Sequence, residues 1–189
     1  LLVAERKEVL AAAMAAVRVK YEALPALFDP AIAQATDSPV LHPQRPAGNL
    51  LISGETRCGD AAAALTQTAY QVTLAVSTGW QEHAFLETQA GVAQLESDGM
   101  LTMTVSTQTP FRDRLELAEA IGVSPAKIQV IAPCLGGGFG GKDGITVQGF
   151  LALAAMHSGG RPVKLWYSRE ESILAGTKRH PLQIGRAHV

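Results

Sequence analysis

Charge is scarce in this chain and neither sign prevails: 17% of the residues are Asp, Glu, Lys or Arg, and the formal net charge is −1. Aromatics are few as well, at 5%, and no Lys/Arg cluster interrupts the balance, which argues against a nucleic-acid partner. Cysteine is nearly absent. Cys58 and Cys134 stand far apart and in no metal spacing, so they cannot hold an iron–sulfur cluster and give weak support for a disulfide. Long apolar runs are missing: the longest, Leu10 to Val17 with Val9 before it, is far too short to span a bilayer. No basic-then-apolar leader precedes a small-residue cleavage site. A cytoplasmic globular protein of one or two domains is expected from the 189 residues, 47% of them hydrophobic.

Glycine, by contrast, is concentrated. Five of the nine residues in Leu135-Gly-Gly-Gly-Phe-Gly-Gly-Lys-Asp143 are glycine, a density that no helix or sheet interior tolerates. Lys127 to Ala132 alternates like a buried strand, and Ile145 to His157 reads as an apolar helix. Strand, glycine turn and helix N-terminus together suit an anionic ligand. Two familiar motifs nearly fit. Gly136-x-Gly138-x-x-Gly141 satisfies the dinucleotide fingerprint, but no Asp or Glu stands between Asp143 and Arg169 to meet a ribose hydroxyl. Gly136 to Lys142 fills the first seven places of a P-loop, yet Asp143 occupies the place where Ser or Thr must ligate magnesium.

The rest of the chain reads as alternating elements without a strict βαβ rhythm, hence an α+β fold with a mixed sheet. Ala4 to Val17 is rich in helix formers, Arg18 to Glu22 alternates as a strand, and Asp29 to Asn49 is a Pro-rich linker in which His42 is a solvated loop residue. Asn49 to Ser53 can be a short strand, Asp60 caps a helix over 61–69, and Val72 to Val76 alternates as a half-buried strand. Ser97-Asp98-Gly99 signals a hairpin between Gly91–Leu95 and Met100–Ser106. A helix opens at Thr109-Pro110 and stops at Gly122, Pro162 to Tyr167 forms a strand, and Ser168 with Glu171 makes a capping box. Leu1-Leu2-Val3 reads as the end of a strand already under way, so the start is expected to be truncated. Ile184 to Val189 match what a common sequencing adapter would encode before a stop, so 184–189 is expected to be a non-native tail.

Five linked segments carry a resemblance. Gln81-Glu-His-Ala-Phe-Leu-Glu-Thr88, Val105-Ser-Thr-Gln108, Leu135 to Asp143, Gly160-Arg-Pro-Val163 and Arg179-His-Pro181 keep an order and spacing that resemble the large, molybdopterin-binding subunit of the xanthine dehydrogenase/aldehyde oxidase family of molybdenum hydroxylases. The resemblance spans residues 79 to 181. It implies that 1–47 close a hammerhead-like α/β domain with its linker and that 48–183 begin the molybdenum cofactor-binding domain. It further implies hydroxylation of a purine-like N-heterocycle with oxygen from water, or oxidation of an aldehyde to a carboxylate. A molybdenum–pyranopterin cofactor would sit here, with iron–sulfur clusters and FAD on other domains or subunits, in an oligomer when full length. The glutamate base lies downstream of Val189 in this family. Two rivals from other classes are a nucleotide-binding enzyme and a non-catalytic scaffold of the same fold.

The resemblance assigns roles residue by residue. Gln81 would hydrogen-bond the apical oxo ligand of molybdenum through its uncharged amide; on residue type alone it is a surface polar group in a turn. Gly137, Gly138, Phe139 and Gly140 would border the cofactor, with Phe139 as an apolar wall or a core anchor. Asp143 stands where purine-specific relatives carry glutamate and aldehyde oxidisers an uncharged residue. It would bind substrate or, on the bland reading, stabilise the dipole of the following helix. Lys142 could favour anionic groups of the cofactor, though a helix-entry lysine is expected to be solvated. No residue is expected to ligate a metal directly. His83 and Glu87 have helical ligand spacing, but no third ligand completes a zinc site. Glu82, His83 and Glu87 read instead as supports for the loop that presents Gln81.

Overall fold

The computed structural model describes residues 1–45 and 47–185. Arg186 to Val189, most of the expected foreign tail, lie outside the described residues. The chain divides into two compact units, residues 11–74 and Leu1–Leu10 together with Ala75–Gly185.

The unit of residues 11–74 is held by local polar bonds. Helix α1 (Leu10–Ala16) begins at its border, α2 (Pro30–Ala33) is capped by Asp29, and α3 (Ala61–Gln67) by Asp60, whose carboxylate accepts from Ala63 N at 2.9 Å. Asn49 fastens the Pro-rich linker by accepting from Leu41 N at 2.8 Å and donating to Ala33 O and Pro39 O at 2.9 Å. The strands expected at 18–22 and 49–53 do not form. A strand needs a pairing partner, and no described residue of 11–74 is buried, so neither segment has a sheet to join within its unit.

The larger unit is an α+β domain with a mixed sheet, as the alternation of elements implied. A two-stranded ribbon pairs β1 (Ala75–Ser77) with β6 (Gln183–Gly185). The main sheet is built from β2 (Ala90–Leu95), β3 (Leu101–Val105), β4 (Ile128–Ile131) and β5 (Val163–Trp166), in the order β4-β3-β2-β5. The β2–β3 hairpin turns at Gly99 (φ 80°), where Met100 N donates to Asp98 Oδ1 at 2.9 Å. Strand β3 runs parallel to β4 through the crossover helix α4 (Pro110–Ile121), which ends on left-handed Gly122. Leu101, Met103 and Val105 point inward by the period of two and meet Leu117 of α4 and Leu151, Ala152 and Ala155 of α5 (Gln148–Met156). The capping box expected at Ser168 and Glu171 starts α6 (Arg169–Ala175).

This topology concentrates loops at one end of the sheet. The antiparallel pairings set Gly91 opposite Val105 and Ala90 opposite Trp166. The segment before β2 and those after β3, β4 and β5 therefore leave from a common edge. These are 81–89, 106–109, 132–147 and 167 onward, which contain four of the five recognised segments.

Helix α5 lies so close to β2 that a Cβ on Gly91 would stand 2.7 Å from Leu151 Cδ1 and 3.0 Å from Val105 Cγ2. Gly91→Ala should therefore overpack the core and destabilise by about 1–3 kcal/mol. Denaturant unfolding checks this, and wild-type stability in the variant would show that the helix has room to move.

Candidate functional site

The glycine loop is built from its two ends inward. At the first, Gly136 N donates to Glu87 Oε2 at 2.9 Å and Glu87 N donates to Gly136 O at 3.1 Å. At the second, Lys142 Nζ reaches the same Glu87 Oε2 at 2.9 Å, and Ser106 Oγ adds a bond at 3.2 Å. The Lys142 side chain is 0% exposed and lies 4.6 Å over the Phe85 ring. The expectation of a solvated lysine is thereby corrected: helix α5 starts only at Gln148, so Lys142 is not a helix-entry residue and turns inward to a carboxylate. Burial pushes the Glu87 carboxyl upward, but the Gly136 N–H, Lys142 and Ser106 outweigh it and hold the group below its usual range.

Gln108 fixes the middle. Its Oε1 accepts from Gly140 N at 2.9 Å and Lys142 N at 3.3 Å, while its backbone N–H donates to Lys142 O at 3.0 Å. Thr177 Oγ1 donates to Gly141 O at 3.4 Å. Side chains press on the loop so closely that a Cβ at Gly136 would lie 2.6 Å from Glu87 Cβ. One at Gly141 would lie 2.7 Å from Phe85 Cε1 and 2.8 Å from His83 Cγ. Between these pins Phe139 takes a left-handed backbone (φ 51°), uncommon for a bulky residue, and its side chain is 76% exposed. It is not a core anchor. Among the described residues, the N–H groups of Gly137, Gly138 and Phe139 meet no acceptor, whereas Gly140 N is taken by Gln108.

Gln81 is carried on the continuation of the β1–β6 ribbon. Its N–H and C=O pair with Arg179 at 3.2 and 3.0 Å, which joins two segments distant in sequence. Trp80 meets His180 edge-on at 5.5 Å, and Glu82 pairs with Lys178 at 2.7 Å. The Gln81 side chain is exposed and has no partner among the described residues. His83 stacks beside Phe85 (6.5 Å between centroids) against Gly141, with Nδ1 shut off from water and unpartnered. Of the expected supports, Glu87 holds the glycine loop directly.

Asp143 sits before α5, with Gly144 to Val147 between it and the helix, so it does not serve the helix dipole as the bland reading had it. Its Oδ1 lies 3.2 Å from Thr109 Oγ1 and 3.1 Å from Arg112 Nη1. Arg112 Nε also bonds Glu116 Oε1 at 2.6 Å, and Glu116 Oε2 accepts from Ile145 N at 3.2 Å. Asp143 Oδ2 has no partner among the described residues. The residues missed from sequence are thus Gln108, Thr109, Arg112, Glu116 and Thr177. For Gln108 a signal existed, an amide directly after a strand in a recognised segment. For the others the partners are non-local and left no local pattern.

Residues 41–187 match the family model "Molybdopterin cofactor-binding domain". The chain is 36% identical over 183 residues to a Bacillus subtilis protein named as a probable xanthine dehydrogenase subunit, covering 96% of this chain and 24% of that protein. It is 36% identical over 181 residues to the "Nicotinate dehydrogenase large molybdopterin subunit" of Eubacterium barkeri, covering 96% and 42% respectively. Among solved structures it resembles the aldehyde oxidoreductase of Desulfovibrio gigas, with a TM-score of 0.82, 27% identity, and coverage of 94% of this chain and 19% of that one. The chain therefore spans well under half the length of these relatives.

The Glu87 geometry sets a pH dependence. Because its folded pKa is lowered, its stabilising contribution is complete above the ordinary glutamate value near 4.3 and is lost as pH falls through the lower folded value. Glu87→Gln should melt below wild type at pH 7, with the gap closing as pH drops below about 4. Paired melting curves across that range check this; a gap that stays constant with pH would show that the charge is irrelevant.

Proposed function

This chain belongs to the molybdopterin cofactor-binding domain family, and on that premise we propose that it forms one wall of the cofactor cavity in a molybdenum hydroxylase acting on a purine-like N-heterocycle. The observation that carries this reading is the loop apex. The N–H groups of Gly137, Gly138 and Phe139 are free for an acceptor, while the residues on either side are pinned by Glu87 and Gln108. A row of fixed donors with little side-chain bulk fits the polar, anionic pyranopterin. When bound, that cofactor would supply the oxidation of an electron-poor carbon with oxygen derived from water.

The chain's own residues would then act as follows. Gln81 would offer its uncharged amide N–H as a donor to the bound cofactor. Phe139, exposed at the apex, walls the site from bulk water. Asp143 presents Oδ2 to a heterocycle N–H, with Oδ1 held by Thr109 and Arg112. We assign residues 1–47 to a preceding hammerhead-like domain and place the iron–sulfur clusters and FAD on other domains or subunits of a cytoplasmic oligomer. Cys58 and Cys134, both exposed and free, are too few for a cluster.

Aldehyde oxidation is the second reading, favoured by the Arg112 pairing. A guanidinium 3.1 Å from Asp143, shared with Glu116, offsets part of the charge and brings the position closer to the uncharged residue of aldehyde oxidisers. A nucleotide-binding enzyme fits less well, because the lysine that would reach phosphates is buried against Glu87.

Two measurements on the complete enzyme test this, at matched molybdenum content. Gln81→Ala should cost roughly 10²–10³ in turnover with the fold intact, by analogy with a single oxyanion-hole donor; near-normal turnover would return Gln81 to the surface. Asp143→Ala should lower kcat/KM for a heterocycle roughly ten- to a hundredfold, the equivalent of a charged hydrogen bond, and leave an aldehyde unaffected or improved. Parallel losses on both substrates would refute recognition by Asp143.

A further inference from the structure

In the cofactor-binding reading neither Lys142 nor Glu87 meets the ligand, yet these residues are the most costly feature of the loop. A lysine ammonium with 0% exposure has lost its hydration, and its compensation is one carboxylate at 2.9 Å and the face of Phe85 at 4.6 Å. As a device for stability alone, such a pair is a poor one, since well-packed apolar residues of similar volume do as well or better. Its geometry suggests another purpose. A single oxygen, Glu87 Oε2, accepts from Gly136 N at the start of the loop and from Lys142 Nζ at its end. That atom closes the segment into a ring that spans Gly137 to Gly141, in which the N–H groups of Gly137, Gly138 and Phe139 meet no acceptor among the described residues. The backbone of the same lysine is gripped by Gln108 on both its N–H and its C=O.

We propose that Glu87 and Lys142 are positioning residues: their buried ion pair ties the two ends of the glycine loop together and so holds the N–H groups of Gly137, Gly138 and Phe139 in the arrangement that receives the cofactor. This rests on the cofactor-binding reading above. Neither residue touches the cofactor. Lys142, which a P-loop would aim at phosphates, aims away from the ligand and acts through the backbone. The left-handed Phe139 is the residue most dependent on the tie, because an unfavourable backbone persists only where its surroundings over-determine it.

The test uses Glu87→Gln, Lys142→Met and the double variant in the full-length protein, produced in a host that makes the cofactor. Three quantities are read: melting temperature, deuterium exchange of peptides covering 135–143 in cofactor-free protein, and molybdenum retained per subunit. Removing both charges spares the double variant an uncompensated buried ion, so it should melt within a few degrees of wild type. Its loop peptides should nevertheless exchange at least tenfold faster, with those of β2 and β3 unchanged, and its molybdenum should fall several-fold. Each single variant should melt lower than the double. A loop as slow to exchange as wild type in the double variant overturns the proposal. So does a loosened loop with full molybdenum retention. A wild-type protein with a protected loop and no molybdenum would instead sink the cofactor reading, leaving the tie as a property of the loop alone.

Discussion

One carboxylate oxygen governs the site. Glu87 Oε2 takes hydrogen bonds from Ser106 at the end of β3, from Gly136 at the start of the glycine loop and from Lys142 at its close. The segment that enters β2 and those that leave β3 and β4 are thereby referred to a common point. An ionised carboxylate suits such a convergence because its oxygens only accept and their negative charge strengthens each bond. A neutral amide in its place would offer one acceptor and would set an N–H toward other donors. The charge is sustained by the donors themselves, which outweigh the burial that would otherwise neutralise it.

The sheet is what makes such a convergence possible. Since β3 and β4 are parallel, their C-terminal ends share an edge; since β2 and β5 flank them with antiparallel order, the start of β2 and the end of β5 open on that edge too. Open α/β sheets place ligands beyond the carboxyl ends of their strands for this topological reason. Here Gln108 comes from the end of β3 and Leu135 to Asp143 from the end of β4, whereas Glu87 approaches before β2. The β1–β6 ribbon brings Gln81 by a separate route, through backbone bonds to Arg179, and thus without any requirement on its side chain. That leaves the amide free for a ligand.

What could be read in the sequence was whatever is settled within a few residues. Gly122 ended α4, Ser168 and Glu171 closed a capping box, Asp60 capped α3, and Ser97-Asp98-Gly99 turned the hairpin, each through bonds between near neighbours. The glycine loop and the segments around it were legible as a set because their residue types are unusual. The burial of Lys142 was not, since its partner Glu87 is remote in sequence and a lysine gives no local sign of facing inward. The helix-dipole reading of Asp143 failed for a related reason. The apolar pattern from Ile145 onward looks helical, but the Thr146 N–H is taken by the Gln148 side chain and the helix waits until Gln148. The strands expected at 18–22 and 49–53 failed at the opposite limit, having strand-compatible residues and no partner to pair with.

Asp143 shows how a site residue and its neighbours divide one charge. If the side chain stood alone, it would present a full negative charge, suited to a heterocycle N–H and unsuited to an electron-rich substrate. Arg112 changes that by binding Oδ1 while remaining bonded to Glu116, so the cluster of Arg112, Asp143 and Glu116 carries one net negative charge spread over two carboxylates. Glu116 in turn holds the Ile145 N–H, which ties the charge balance to the backbone that follows Asp143. The directional acceptor that survives is Oδ2. A hydrogen bond needs that oxygen within about 3 Å of the substrate donor, whereas a charge effect acts over a longer range and is screened. If Asp143 recognises substrate as proposed, recognition is therefore a matter of reach more than of charge, and the aspartate, one methylene shorter than glutamate and tethered by Arg112, would favour a substrate that brings its N–H close to the loop.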